Sequence, residues 1–199
     1  NPCSEDALSK EPIKKSVYGI KNNRKLVLFV MGSLGSSRVN EYLVSSMNLF
    51  NGKDYDILFV TGKGSYDSIS KNSFPSNVHV VPYVDGMTGL MKNVDLIVSR
   101  AGASTMSEII ALELPSILIP SPYVANNHQY KNALDLVNVN ASVMIEEKDL
   151  KGDILVRKID EILYDDNKIH EMKKNLKSMM VRDSASLIYS NIKELVDRK

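Results

Sequence analysis

With a single cysteine, Cys3, the chain cannot close an internal disulfide, and it reads as a protein of a reducing compartment with no cysteine nucleophile. Charge of one sign is also missing. Lys and Arg total 25 against 24 for Asp and Glu, so no long-range field favours nucleic acid as a partner. The longest apolar runs, such as Leu26 to Met31 and Ser116 to Pro120, fall well short of the roughly 20 residues that span a bilayer. No transmembrane segment or signal peptide is expected. There is no G-x-G-x-x-G fingerprint, which argues against a dinucleotide cofactor, and no P-loop lysine, so ATP hydrolysis is not expected. No cofactor is called for. The histidines His79, His128 and His170 have no metal-ligand spacing, so no metal site is expected. Internal repeats and low-complexity segments are absent. The chain opens at Asn1 without a methionine, which suits an excised fragment, although a processed N-terminus would look the same.

What is present is apolar content of 43%, enough for a core in one large α/β domain. Short runs rich in Val, Ile, Leu and Phe recur at Leu26 to Met31, Asp56 to Thr61, Val78 to Val81, Asp95 to Ser99, Ser116 to Pro120 and Ser142 to Ile145. They lack polar alternation, as strands covered on both faces do. Helical spacing fills the gaps at Val39 to Phe50, weakly at Asp67 to Ser70, and at Thr88 to Met91, Thr105 to Leu112 and Gln129 to Val137. Regular alternation predicts a Rossmann-like, doubly wound parallel sheet of about six strands with helices on both faces. After Ile145 the pattern becomes helical, near Lys148 to Leu163, Lys168 to Met179 and Ser184 to Val196. Residues 1–24 are polar and lysine-rich and read as a linker with at most a short helix, leaving 25–199 as the domain.

In such a sheet, ligands bind beyond the carboxyl ends of the strands. The first of these turns is MGSLGSSRVN, Met31 to Asn40, in which Gly32 and Gly35 would let the backbone approach a ligand and Ser33 offers a donor. Tight packing alone also accounts for such glycines. The third strand runs into VVPYVDGM, where the Val84 backbone could meet a flat base with Met87 packed on it; an ordinary loop explains the same letters. The fourth leads into SRAGASTMSE. Gly102 and Ala103 keep that turn small, the backbone at Ser104 and Thr105 is free to hold a diphosphate, and Glu108 could accept ribose hydroxyls. The alternative makes Ser104 an N-cap and Glu108 a first-turn acid, together contributing about 1 kcal/mol. The fifth leads into PSPYVANNHQYKNA, where His128, Gln129 and Asn132 present groups suited to sugar hydroxyls.

In order and spacing these turns resemble the MurG family of GlcNAc transferases. MGSLGSSRVN is similar to that family's GGS-x-G loop with its downstream asparagine, SRAGASTMSE to its most characteristic stretch, and NNHQYKNA to its HQ-x-x-NA helix. The opening Asn1-Pro2 resembles the asparagine-proline at the family's domain junction, and DSASLIYSNIKELV its terminal segment, so the resemblance covers essentially the whole chain. It departs at Met31, where the family has a glycine, and at Ser4, where an arginine is common.

The resemblance implies a GT-B fold, with the donor UDP-GlcNAc on this domain and a lipid-linked acceptor on an N-terminal domain that the sequence lacks. On that basis Ser33 and the backbone at Ala103, Ser104 and Thr105 hold the diphosphate. Val84 reads uracil, Met87 lines the pocket, Glu108 binds ribose, His128 and Gln129 face GlcNAc, Asn132 supports them, and Arg100 plays a supporting part. The catalytic base is expected outside this chain, in a cytoplasmic enzyme at the inner face of the plasma membrane that serves peptidoglycan synthesis. Two alternatives stand beside this reading: a free-standing donor-binding subunit that recruits a membrane partner, as in the eukaryotic dolichol-linked GlcNAc transferase, and a non-catalytic nucleotide-sugar sensor.

Overall fold

A computed structural model describes residues 3–32, 36–180 and 184–197. Six strands, β1 (Lys25–Val30), β2 (Tyr55–Val60), β3 (Val78–Val81), β4 (Leu96–Ser99), β5 (Ser116–Leu118) and β6 (Val143–Met144), form one sheet in the order β3-β2-β1-β4-β5-β6. Every neighbouring pair is parallel. The expected doubly wound sheet is thus what forms, and its strand order reverses between β1 and β4.

The alternation of side chains along each strand divides the core into two layers. Val27 and Phe29 of β1 and Ile57 and Phe59 of β2 join one cluster, with Phe50 and Leu43; Leu26, Leu28, Leu58 and Val60 join the other. All of these are at most 4% exposed, and each aromatic or aliphatic side chain so buried contributes about 1.5–3 kcal/mol. Phe29 sits edge-on to both Phe50 and Phe59, with ring centroids 5.8 and 6.5 Å apart. The first layer is covered by α2 (Ser37–Ser46) and α7 (Ile154–Leu163), with Val39 and Leu43 from one and Leu155, Ile159 and Ile162 from the other. The second is covered by α4 (Met87–Met91), α5 (Ala103–Ala111) and α6 (His128–Val137), through Leu90, Ile109 and Leu136. A short α3 (Lys63–Ile69) follows β2, and α8 (Asp166–Met179) contributes Met172 to one layer and Leu176 to the other. The last helix, α9 (Ser184–Asp197), leaves Tyr189, Ile192, Leu195 and Val196 exposed.

The segment after β6 differs from the sequence expectation. Helix was expected from Lys148, but only a 3-10 turn forms at Glu147–Asp149. Gly152 then takes a φ of +53°, which cannot continue a right-handed helix, and α7 starts at Ile154. Residues before β1 form α1 (Cys3–Ser9) and a 3-10 turn at Lys15–Tyr18, and they pack on the domain. Ala7 is fully buried, Ile13 N–H donates to the Gly89 carbonyl at 3.0 Å, and Lys92 Nζ donates to the Leu8 carbonyl at 2.8 Å.

Candidate functional site

A cavity of about 360 Å³ opens at the carboxyl end of the sheet, across the β1/β4 switch point. Its walls come from successive strand ends. Met31 and Gly32 follow β1, Gly62 follows β2, and Pro82, Tyr83 and Val84 follow β3 with Met87 and Met91 from α4. Ser99, Arg100 and Gly102 close β4, Thr105 and Glu108 come from α5, and Gln129 from α6. Apolar side chains form much of the floor, with a few convergent polar groups above it, the composition of a small-molecule site.

The turn after β4 supplies backbone donors. Gly102 caps α5 with an extended backbone (φ −71°, ψ 148°), no side chain caps the helix, and the first intrahelical bond runs from Met106 N–H to the Gly102 carbonyl at 2.9 Å. The N–H groups of Ala103, Ser104 and Thr105 therefore precede the helical ladder and face outward at the positive end of the helix dipole. Ala103 and Ser104 are exposed, and Ser104 does not act as the N-cap that the bland reading would make it. From α6, Asn132 Nδ2 donates to the Ala101 carbonyl at 3.0 Å and so pins this turn.

Glu108, one turn into α5, is half-buried, and Thr88 Oγ1 of α4 donates to its Oε1 at 3.1 Å. Burial pushes its carboxyl above the usual carboxylate range, the Thr88 hydrogen bond works against that shift, and Asp6 adds a small push upward. Gln129 Oε1 accepts from the Ser121 N–H at 2.9 Å, which fixes the amide at the rim. Val84 is 1% exposed, and its N–H donates to no other described residue.

Of the residues expected to bind, the cavity thus brings together Gly32, Val84, Met87, Arg100, Gly102, Thr105, Glu108 and Gln129. Ala103 and Ser104 stand at its mouth as the first residues of α5, and Asn132 lies behind it. His128 does not line it. Asn126 and Asn127 both adopt left-handed backbone, with φ of 54° and 51°, and deliver the exposed His128 ring outside, its Nδ1 3.0 Å from the Ala125 carbonyl. Ser33 and Gly35 lie outside the described residues, as do Asn1 and Pro2. Sequence reasoning missed Tyr83 and Gly62 as lining residues and the partner of Arg100, Glu147. Gly62 carried a usable signal, a glycine directly beyond a buried strand. Among the described residues, no three His, Cys, Asp or Glu side chains gather where they could hold a metal ion.

The fold of this chain matches the solved structures of several glycosyltransferases. MurG of Acinetobacter baumannii superposes with a TM-score of 0.77 over 94% of this chain and 55% of its own, at 21% identity. The glycosyltransferase VinC, solved with dTDP, superposes at 0.72 over 94% of this chain and 45% of its own, at 16% identity. The sequence matches the glycosyltransferase family 28 C-terminal domain over residues 26–188, and the chain belongs to that family. It is 40% identical over 203 residues to the UDP-N-acetylglucosamine–N-acetylmuramyl-(pentapeptide) pyrophosphoryl-undecaprenol N-acetylglucosamine transferase 1 of Bacillus cereus ATCC 14579, covering 100% of this chain and 56% of that protein. The enzyme of that name without the number, from Bacillus licheniformis, is 40% identical over 200 residues, covering 98% and 55%. The chain thus spans about half the length of the curated relatives it matches.

Proposed function

We propose that this domain binds UDP-GlcNAc and forms the donor half of an inverting N-acetylglucosaminyltransferase acting on undecaprenyl-pyrophosphoryl-MurNAc-pentapeptide in peptidoglycan synthesis. The observation that carries the reading is the pairing, on one helix, of three free N–H groups at Ala103, Ser104 and Thr105 with the Glu108 carboxylate one turn further in. A diphosphate on the helix N-terminus leaves a ribose within reach of a carboxylate so placed. Uracil then meets Val84, with Met87 against it, and Gln129 faces the sugar. Ser33 and Gly35 complete the phosphate loop with Gly32, and Asn132 holds the turn. His128 reaches the GlcNAc from outside the cavity.

In the reaction, an acceptor hydroxyl oxygen bonds to the anomeric carbon as the bond from that carbon to the UDP oxygen breaks. The electron pair leaves on the diphosphate and the hydroxyl proton goes to a base. The α5 N-terminus stabilises the charge that develops on the departing UDP. The base and the lipid-linked acceptor belong to a partner domain not contained in these residues, with 1–24 as the connection to it and 25–199 as the donor-binding body. Its place is the cytoplasmic face of the plasma membrane, held peripherally. No helix among the described residues is long and apolar enough to cross a membrane.

Calorimetric titration with UDP, UDP-GlcNAc, ADP and NAD tests this. The two uridine nucleotides should bind more tightly; preference for an adenine nucleotide would sink the reading.

A further inference from the structure

One guanidinium ties together the exits of four strands. Arg100, just beyond β4, donates through Nη1 to the Ile119 carbonyl beyond β5 at 3.1 Å. Its Nη2 reaches Ser36 Oγ, on the loop after β1, at 2.6 Å, and Glu147 Oε2, beyond β6, at 2.7 Å. Arg100 lines the cavity, while Glu147 sits behind it with its side chain 3% exposed. The other carboxylate oxygen, Oε1, has no hydrogen-bond partner among the described residues and lies 3.7 Å from Arg38 Nε. Arg38, on the first turn of α2, is exposed and donates to the Tyr123 hydroxyl at 3.0 Å.

We propose that Glu147 is a positioning residue for the phosphate end of the nucleotide site, acting through Arg100 on Ser36. The proposal rests on the nucleotide-sugar reading above. The planar fork of an arginine has fixed directions, so three acceptors determine where the guanidinium lies. Glu147 is the only charged one of the three, and buried cations are held in place chiefly by such a partner. Ser36 is the N-cap residue of α2, with its carbonyl accepting from Asn40 N–H at 2.7 Å and no capping bond from its side chain. Its hydroxyl is engaged by Arg100 instead. Ser36, at the start of α2, is thereby anchored to a buried charge pair, on the side of the cavity where a diphosphate is expected. Among the described residues, no hydrogen bond or ion pair joins Val84, Met87 or Tyr83 at the base end to this network.

That asymmetry yields the test. Glu147→Asp keeps the charge but withdraws the carboxylate by about 1.5 Å, beyond hydrogen-bond reach of Arg100. Ser36→Ala removes the other end of the relay by deleting one oxygen near the surface, and it carries the test if the first variant does not fold. Affinities of the wild-type chain and both variants are measured for UDP by calorimetry and for uridine by NMR titration. Expected is a loss of about tenfold for UDP, the loss of one charge-assisted hydrogen bond, with uridine binding unchanged. Uridine and UDP weakening in the same proportion would show a merely structural role, and unchanged UDP affinity in both variants would show none; either overturns the proposal. If the wild type binds UDP and the variants match it, only Glu147 loses its role. If the wild type binds neither ligand, the nucleotide reading fails and the proposal with it.

Discussion

Thr88 and Glu108 meet hydroxyl to carboxylate at 3.1 Å, joining α4 at the proposed base end to α5 at the proposed ribose end. Because burial raises the Glu108 carboxyl, this group favours the folded state in its protonated form. The stability it contributes is complete below its unfolded pKa and is lost as pH rises through its higher folded value. Once ionised, its charge is therefore a cost to folding that a ligand can offset.

Glu108→Gln should accordingly separate stability from binding. Gln retains an oxygen for Thr88 and carries no charge, so at pH 7 the variant should melt at the wild-type temperature or above it, with the difference closing as pH falls through the acid range. UDP affinity should drop by about 1–3 kcal/mol through loss of charged hydrogen bonds to ribose. A variant that melts lower at pH 7 while binding UDP as tightly as wild type would return Glu108 to the part of a first-turn helix acid.

Gly89 of α4 lies beneath the N-terminal segment, where a Cβ would come within 2.5 Å of the Glu11 carbonyl oxygen and 3.2 Å of Ile13 Cγ1. The first obstacle is backbone, so the segment must lift. Ala has the higher helix propensity by about 1 kcal/mol, but overpacking costs about 1–3 kcal/mol and should win. Denaturant unfolding should show Gly89→Ala destabilised, whereas Gly64→Ala in α3, with nothing within 4 Å of the added carbon, should be neutral or slightly stabilised. Equal behaviour of the two variants would mean that residues 10–13 do not hold this position in solution.

The contrast between these glycines shows which features a sequence carries. Strands such as Ile57 to Val60 were legible because burial on both faces leaves an unbroken apolar run, and SRAGASTMSE was legible because strand, small turn and helix start are contiguous. The Gly89 contact depends on a segment returning from far earlier in the chain, and nothing local to GMTGLM records it. Glu147 was illegible for a similar reason. It stands just ahead of the stretch from Lys148 that reads as helix, and its burial against Arg100, 47 residues away, is purely tertiary. The outward placement of His128 follows from two consecutive left-handed asparagines, a geometry that the letters NN permit but do not require.

Asn132 offers a test of how the proposed diphosphate turn is held. Its amide donates to the Ala101 carbonyl at 3.0 Å, just ahead of the free N–H groups of α5. Asn132→Ala should lower stability by about 0.5–1.5 kcal/mol, the net value of one hydrogen bond. Asn132→Asp should cost more, since a carboxylate would face the carbonyl oxygen. Both should weaken UDP binding. Unfolding curves and calorimetry that match the wild type in both variants would show that the turn is held by Gly102 and the helix alone.

The 199-residue chain is expected to transfer no GlcNAc to a polyprenyl-linked acceptor while still binding the donor. Transfer requires a base within hydrogen-bond reach of the acceptor hydroxyl and a second wall that aligns that hydroxyl opposite the leaving UDP. His128 lies outside the cavity with Nδ1 against the Ala125 carbonyl, His79 lines a separate depression at the amino ends of β1 to β3, and His170 is on α8. An open cleft also leaves the reacting charges in water, where each electrostatic contact is weakened. Joining an acceptor-binding domain from a relative to this chain should restore turnover, read as radiolabelled GlcNAc entering the lipid fraction. Transfer by the purified chain with no second protein would refute the half-enzyme reading and place the base within this sequence. Glu108 would then be the first candidate, because it is a half-buried carboxyl inside the cavity and burial raises its pKa, which makes it a stronger base than an ordinary carboxylate.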